Sequence, residues 1–456
     1  MKKILLASLS LIAVSSAWAG GLLSNTNQHI AFNRMMARGA STEIDAVYSN
    51  PAGTAFNEHE GLTLSLNIQS AFQTRNVDAT FPLFLTEGNT KRYEGNAAAP
   101  VLPSLFAMYK KDKWVFQAGF GVTGGGGKCS FDDGLPMFEA PIMAGLAQMK
   151  ITPDKYAITS SMKGRQYIFG LQAGASYKFN EHFAGHLGAR VNYFNGNYTG
   201  FVKSDVKTSP IGNINVELDC NQTGWGVTPI IGLDYKVGRL TLATKFEYKT
   251  KLNIENDTKK NDASVSPIAE VEPAITYAKT LEANVKQSLA PYNHGVNTPN
   301  DLPSILYVAA GYEILPEKLR ATVEYHFYDD KHAGMAGDKQ KSLTRGTNEY
   351  LAGVEWDINK MFTVSTGTQI TSYGLSDDYQ SQTSFSCNSY SIGLGGAVNL
   401  TSKLKLNVAY FWTTYKDYTK SVEAGNPGGY CGSTLAGKDV YSRTNKVFGV
   451  GLDYKF

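Results

Sequence analysis

The most reactive side chains of this sequence do not fall into a catalytic or metal-binding pattern. Gly124–Lys128 has the glycines and the lysine of a phosphate-binding loop, but Val122 stands where the first glycine is required and Cys129 replaces the Ser or Thr. His182 and His186 are four residues apart, which on an extended strand separates them by about 13 Å. We therefore predict no phosphate site, no metal site and no cofactor.

The four cysteines, Cys129, Cys220, Cys387 and Cys431, include no Cys-x-x-Cys spacing and so indicate no zinc site. An even number in an exported chain permits two disulfides. The strand topology derived below places all four at the same end of the molecule. We expect Cys129 to pair with Cys220 and Cys387 with Cys431, because those loops are neighbours. Free thiols and the other pairings remain alternatives.

The composition favours strands of alternating character. The 456 residues include 45 Gly, 26 Tyr and 22 Phe, only 18% are charged, and the net charge is +3. Soluble domains usually have about 25% charged residues. The near-neutral charge gives no basis for nucleic-acid binding, and no apolar run reaches the roughly 18 residues of a membrane helix. These features point to a β-barrel.

The N-terminus has the three parts of a signal peptide. Two lysines precede an apolar stretch, 4–17, that is too short to span a bilayer, and Ala17-Trp18-Ala19 provides the small residues before a cleavage site. We predict cleavage between Ala19 and Gly20, so that residues 1–19 are removed on export.

From about residue 61 onward, successive segments place apolar residues on one parity and polar or small residues on the other. In the last segment, the apolar parity consists of Phe448, Val450, Leu452, Tyr454 and Phe456. Such alternation means that one face of a strand meets an apolar medium and the other a polar one. The apolar parity repeatedly ends in Tyr, Trp or Phe, which is typical of the aromatic girdle of a barrel in a lipid membrane.

Six short polar turns alternate with seven longer loops, which together predict fourteen strands. We expect the strands near 62–75, 101–110, 113–123, 164–179, 182–203, 220–236, 239–255, 302–315, 317–329, 346–358, 360–373, 387–400, 402–418 and 440–456. An even strand number, with short turns at one end and long loops at the other, is typical of an all-β, antiparallel transmembrane β-barrel. We assign residues 61–456 to this 14-stranded barrel, which pairs every backbone polar group within the lipid.

Residues 20–60 precede the first strand and lack its alternation. The segment shows short helical patterns, and it is too long for a linker and too short for a domain with its own core. We expect it to fold into the lumen as a partly helical plug, or hatch.

Within this segment, Asn50-Pro51-Ala52-Gly53 resembles the Asn-Pro-Ala signature in the hatch of the long-chain fatty acid transporter family (FadL/TodX type). The resemblance continues at Gly224-Trp-Gly226, Gly232–Tyr235, Asp301–Pro303, Gly311-Tyr312 and the terminal strand. It implies a fourteen-strand barrel in the outer membrane of a Gram-negative bacterium, plugged by an N-terminal hatch. Phe456 resembles the C-terminal aromatic residue that the barrel-assembly machinery recognises, and it also suits a girdle position.

The resemblance implies passive, porin-like uptake of hydrophobic small molecules, either long-chain fatty acids or hydrocarbons. Substrate would be captured among extracellular loops, held in a pocket above the hatch and released into outer-membrane lipid through a side opening near a kink in the third strand. Gly119 and Gly121 are candidates for that kink. A role in a turn is the alternative for these glycines.

One long loop carries an apolar stripe where a barrel loop should be polar. Phe138, Ile142, Leu146 and Met149 follow helical spacing, and Met adapts to varied apolar ligands. We therefore predict an exposed substrate-capture site that consists of Leu135, Met137, Phe138, Ile142, Met143, Leu146 and Met149. The alternative is that the stripe only packs on neighbouring loops.

The contact to a substrate head group is not assigned by the sequence. The family holds the fatty acid carboxylate with basic side chains, and Arg190, Lys203 and Lys245 fall near suitable strands, but none aligns with them. A neutral hydrocarbon therefore stays open as the substrate. A surface ligand-binding protein or adhesin is a second hypothesis. An outer-membrane lipase with a Ser/His pair is a third, and since no local motif supports it we predict no enzyme activity.

Overall fold

The computed structural model describes residues 22–148, 150–206, 213–267, 272, 274–425 and 428–456. The predicted signal peptide and Met149 lie outside these residues. The wall consists of β1 (Gly61–Thr80), β2 (Thr90–Lys111), β3 (Trp114–Phe131), β4 (Tyr156–Lys178), β5 (Phe183–Val206), β6 (Ile214–Val237), β7 (Leu240–Glu247 and Asn253–Val265), β8 (Ile305–Leu315, preceded by Asn297–Pro299), β9 (Leu319–Tyr328), β10 (Thr347–Asp357), β11 (Phe362–Ser372), β12 (Ser389–Asn399), β13 (Leu404–Tyr415 and Tyr418–Val422) and β14 (Gly437–Lys455).

Each strand pairs antiparallel with its neighbours in the sequence, and the first strand closes the barrel against the last. The β1–β14 pairing runs from Thr63 opposite Lys455 to Thr80 opposite Lys438. The predicted 14-stranded antiparallel barrel with an N-terminal, partly helical segment is therefore confirmed.

The two faces of the wall have the polarity that the alternation predicts. In β1, Leu66 and Ile68 are 48% and 46% exposed on the outer face, whereas Ser65 and Asn67 are 2% and 0% exposed on the lumen face. Apolar side chains thus cover the outside, and polar side chains line much of the inside. This arrangement suits a wall that is surrounded by lipid.

Several strands extend further toward the long loops than the alternation predicts. β2 begins at Thr90 rather than near residue 101, and β4 begins at Tyr156 rather than near residue 164. Backbone pairing continues there because it does not depend on side-chain polarity, whereas the period-two pattern fades where the outer face no longer meets lipid.

The helices are α1 (Ile30–Met35), α2 (Ala46–Ser49), α3 (Pro136–Gln148) and α4 (Ala274–Leu289). Short 3-10 helices span Pro51–Phe56, Glu87–Asn89, Pro153–Lys155, Ala290–Tyr292, Asp330–His332, Ala336–Ser342 and Tyr430–Gly432. Among the described residues, no helix has both the length and the apolar character to cross a membrane.

The N-terminal segment, from Leu22 to the start of β1, lies inside the lumen as a hatch. The side chain of His29 caps α1 by accepting a hydrogen bond from the backbone N–H of Ala31, and Met36 ends the helix with a φ of 62°. A buried cation requires a partner, and Arg38 donates to Asp45 at 2.7 Å and to Glu355 of β10 at 3.1 Å. Ion pairs to the wall therefore hold the hatch in place.

Candidate functional site

A packed cluster of apolar side chains, called the chamber from here on, fills the lumen above the hatch at the end with the long loops. Its buried members include Val77, Phe81, Phe84, Tyr93, Phe131, Leu135, Phe138, Met143, Met162, Tyr198, Val202, Val216, Leu218, Phe385, Tyr430 and Tyr441. These side chains come from opposite parts of the wall and from the loops. A cavity of about 20 Å³ borders Phe138, Met162 and Tyr198, so an apolar solute would have to displace these side chains to enter the chamber.

The predicted capture residues that the structure describes lie on α3 or, for Leu135, directly before it, and most of them pack in the chamber instead of facing solvent. Leu135, Phe138, Leu146 and Met143 are 0%, 3%, 4% and 8% exposed, and Met137 and Ile142 are half-buried against the same cluster. The expectation of an exposed stripe is wrong for these residues.

A polar contact between α3 and β2 accompanies this burial. The Glu139 carboxylate accepts hydrogen bonds from Nζ of Lys91 at 2.7 Å and from the hydroxyl of Tyr93 at 3.0 Å. This contact joins α3 to β2, and the apolar side chains of the helix pack in the chamber.

Two arginines meet on the wall of this chamber. Arg75 of β1 and Arg443 of β14 are directly opposite each other in the strand pairing, and they are 1% and 5% exposed. Arg75 lies 5.2 Å from the ring centroid of Phe385 and donates to its carbonyl at 3.2 Å. Arg443 lies 4.9 Å from the ring centroid of Tyr415. Arg443 also donates to Oε1 of Gln73 at 3.5 Å, and like charges placed directly across two strands repel each other.

The basic residues that the sequence suggested have other roles. Arg190 and Lys245 both bind Glu247, at 2.7 and 2.8 Å, and Lys203 lies exposed beside Glu217. Sequence reasoning missed Arg75 and Arg443, although both lie on the polar parity of their strands. Their meeting depends on the register in which the first and last strands close the barrel.

The wall has a seam in which β2 and β3 do not pair. Their pairing runs from Lys111 to Leu105 of β2, where Leu105 is opposite Phe120, and resumes only at Ala98 opposite Lys128. In the same stretch β3 is irregular against β4, with register shifts at Val122/Gly124 and Gly125/Gly127.

Glycines produce the irregular course of β3 at this seam. Gly125 and Gly127 both have a φ of +79°, a conformation that side chains disfavour. Gly119 and Gly121, the glycines singled out from the sequence, lie at the start of the seam. Gly119 is still paired with both neighbouring strands, whereas Gly121 is paired with β4.

The N-terminal segment covers the seam from the inside. Ser24 forms an isolated bridge with Gly124, and the backbone N–H of Asn25 donates to the carbonyl of Thr123 at 2.8 Å. Tyr48 of α2 then donates to the carbonyl of Asn25 at 3.3 Å. The segment thus replaces part of the hydrogen bonding that β2 would supply to β3.

The predicted hatch motif contacts three wall strands. Asn50 donates to Oδ2 of Asp234 in β6 at 2.8 Å. The carbonyl of Pro51 accepts from Ser176 of β4 at 2.6 Å and from Gln117 of β3 at 2.9 Å. The remaining members are tightly enclosed, since Ala52 is 0% exposed and a Cβ on Gly53 would lie 2.6 Å from the carbonyl oxygen of Ser41.

A polar cavity of about 880 Å³ lies on the other side of the hatch, toward the short turns. Its lining includes Arg38, Glu43, Arg320 and Lys405. Lys405 holds the pKa of Glu43 well below its usual range. Burial lowers the pKa of Arg38, but the carboxylates of Asp45 and Glu355 outweigh burial and raise this pKa well above its usual value. These groups are therefore ionised, and an apolar solute would have to displace charge to pass them.

One Ser, His and Asp meet in the lumen but do not form a hydrolytic triad. Nε2 of His29 lies 3.0 Å from both Oγ of Ser65 and Oδ1 of Asp453, and Nδ1 accepts from Ala31. A triad requires the carboxylate and the hydroxyl on different ring nitrogens. The described residues also contain no group of three or more acidic, His or Cys side chains that could hold a metal ion.

All four cysteines are free thiols, so neither expected disulfide is formed. Cys129 lies on β3 and Cys220 on β6, and three strand spacings separate them by about 14 Å, whereas a disulfide joins Cα atoms less than about 7 Å apart. Cys387 contacts the carbonyl of Tyr441, and Cys431 contacts Gln382. The expected nearness of these segments around the barrel therefore does not bring either pair of thiols together.

Comparison with known proteins relates the chain to solved barrels. No protein-family model and no curated protein sequence matches it. A FadL homologue from Pseudomonas aeruginosa superposes with a TM-score of 0.64 at 14% identity, covering 96% of this chain and 100% of the other.

Two further structures are described as toluene transporters. TodX from Pseudomonas putida has a TM-score of 0.55 at 12% identity, covering 97% of this chain and 100% of the other. TbuX from Ralstonia pickettii has a TM-score of 0.53 at 11% identity, covering 91% and 94%. At such identities the likeness establishes a shared fold.

Proposed function

We propose that this protein is a passive outer-membrane transporter that takes up hydrophobic compounds, with long-chain fatty acids as the favoured substrates. The observation that carries the proposal is the unpaired β2–β3 seam, which lies beside an apolar chamber and is covered from inside by the N-terminal segment. Fourteen-stranded barrels of the same fold include a FadL homologue and toluene transporters.

Substrate enters between the long loops and reaches the chamber by way of α3. When the packed cluster opens, Phe138 and Met143 offer the substrate an apolar surface. The half-buried Met137 gives this surface an adaptable side chain, which suits ligands of different shape.

Arg75 and Arg443 hold the carboxylate of a fatty acid in this scheme. Two guanidinium groups side by side present several donors to one carboxylate, and they lie among aromatic rings that would flank the adjoining chain. A neutral hydrocarbon such as toluene is the second candidate substrate, favoured by the described substrates of two structures with this fold.

Substrate leaves sideways because the path straight through the barrel is closed to it. Ionised groups on the far side of the hatch, such as its own Arg38 and Glu43, form a charged floor. The seam instead opens toward the apolar outer face, where Val101 is 64% exposed and Leu105 is 50% exposed. Movement of the hatch and of the N-terminal segment gates this exit.

Export and assembly complete the proposal. Residues 1–19 are removed as a signal peptide, residues 20–60 form the hatch, and residues 61–456 form the barrel in the outer membrane. The C-terminal Phe456 donates its backbone N–H to Leu62 and is 56% exposed, which leaves its ring accessible to the barrel-assembly machinery.

The test is uptake of labelled oleate and of labelled toluene by cells that contain or lack the protein. We expect oleate uptake to rise with the protein and to exceed any rise in toluene uptake. A rise for toluene alone would assign the protein to neutral hydrocarbons. If cells with and without the protein take up each compound at the same rate, the proposed transport is rejected.

A further inference from the structure

The covered seam depends to an unusual degree on one side chain. The carboxamide of Gln28 donates from Nε2 to the carbonyl of Val122 at 2.6 Å, and its Oε1 accepts the backbone N–H of Val122 at 2.9 Å. The amide group of Gln28 therefore makes the same pair of bonds to Val122 that a paired strand would make.

The backbone of Gln28 joins two more strands at the same place. Its carbonyl accepts from Nε2 of Gln69 in β1 at 2.7 Å and from Oγ of Ser104 in β2 at 3.0 Å. Val122 and Gln28 are 3% and 9% exposed, so water does not readily replace these bonds. One residue thus connects β1, β2 and β3 across the opening.

The wall leaves room for this side chain at a glycine. A Cβ on Gly121 would lie 2.8 Å from Oε1 of Gln28, closer than carbon and oxygen approach without a shift. Because Gly121 directly precedes Val122, the absence of a side chain there lets the carboxamide reach the backbone. This gives Gly121 a role in seating Gln28.

We propose that Gln28 is the latch that keeps the lateral seam closed, and that release of its carboxamide from Val122 is the step by which the seam opens. The proposal rests on the proposed function, since it specifies how the exit is regulated. Asn25 also donates to the carbonyl of Val122, at 3.1 Å, whereas the N–H of Val122 has Gln28 as its acceptor. Loss of Gln28 therefore exposes that N–H first.

The experiment measures backbone hydrogen exchange and uptake for Gln28→Leu, Gln28→Glu and wild type. Leu removes both bonds at similar size, and Glu removes the donor and keeps the acceptor. Gln287→Leu, at an exposed position on α4, is the matched control. We expect exchange in the peptide 117–128 to be at least about tenfold faster in Gln28→Leu, intermediate in Gln28→Glu and unchanged in the control.

We also expect Gln28→Leu to raise oleate uptake several-fold, because a weakened seam opens more often. Unchanged exchange in a folded Gln28→Leu barrel would overturn the latch. Faster exchange with unaltered uptake would keep the latch as a closure of the wall and reject the seam as the exit. If Gln28→Leu does not assemble, the same comparison between Gln28→Glu and wild type decides the matter.

Discussion

Asn50 of the hatch donates a hydrogen bond from Nδ2 to Oδ2 of Asp234 on β6 at 2.8 Å, although 184 residues separate them in the sequence. The same amide group also donates to the carbonyl of Ser41 at 3.1 Å. A single buried side chain thus ties the hatch to itself and to the wall. Its position decides how the hatch lies beneath the chamber.

We expect the double variant Asn50→Ala/Pro51→Ala to lose most oleate uptake while the barrel still assembles. The substitution removes the bond to Asp234 and loosens the backbone that places the carbonyl of Pro51 against β3 and β4. Heat-modifiable migration on a gel checks assembly, and labelled oleate checks uptake. Asn57→Ala is the control, since its side chain bonds within the hatch, to Thr42. Wild-type uptake by the assembled double variant would reject a gating role for the motif.

Replacing Arg75 and Arg443 by Gln should weaken fatty acid binding and spare neutral hydrocarbons. A hydrogen bond to a charged group contributes about 1.5–3 kcal/mol, so we expect the half-saturating oleate concentration to rise roughly tenfold or more per arginine. Binding of oleate and of toluene to the purified barrel measures this. Arg92→Gln, at an exposed pair with Asp78, is the control. An equal loss for both ligands would argue against carboxylate recognition.

Asp330 should make stability depend on pH. Burial raises its pKa to about 7, compared with about 3.9 in an unfolded chain. Between about pH 4 and 7 the native state therefore binds more protons than the unfolded state, so that stability falls as pH rises through this window and levels off above it.

The melting temperature in detergent, measured from pH 4.5 to 7.5, tests this dependence on Asp330. We expect Asp330→Asn to flatten the fall, because Asn does not ionise. The exposed Asp133 provides the control variant Asp133→Asn. A slope in Asp330→Asn equal to that of the wild type would contradict the prediction.

Gly125→Ala should disrupt the course of β3 at the seam. Gly125 has a φ of +79°, and an added Cβ would overlap the carbonyl of Gln166 in β4. We expect a loss of several kcal/mol in stability, beyond the roughly 1 kcal/mol that a positive φ alone costs. Gly238→Ala supplies that comparison, since Gly238 has a φ of +53° and open space around it. Equal melting temperatures for the two variants would show that the close approach is not strained.

The strand pattern could be predicted because the alternation of polar and apolar residues along each strand reflects the medium on either side of the wall. The parity of residues such as Leu66 and Asn67 follows from local sequence and is confirmed by their exposure. The direction in which the apolar side chains of α3 point could not be predicted from local sequence. Its apolar residues are equally compatible with solvent-facing capture and with packing, and only the surrounding strands and loops, against which Phe138 and Met143 are buried, decide between them.

The cysteines and the arginines show that the sequence also does not predict which pairs of distant residues meet. Cys129 and Cys220 are expected in neighbouring loops, but they lie on β3 and β6, and the spacing of the wall strands keeps them apart. Arg75 and Arg443 are 368 positions apart in the printed sequence, yet barrel closure places them opposite each other. Proximity around a closed wall depends on register, which no short stretch of sequence specifies.

By itself, therefore, the sequence determined the medium on each side of the wall, the number of strands and the presence of a segment inside the lumen. These properties are local, because they depend on the period of polarity along each strand and on turn composition. The tertiary structure alone decided which side chains meet: the two arginines, the thiols that stay apart, and Gln28 at Val122. Such contacts depend on closure and register, where a shift of one residue would turn each side chain to the opposite face.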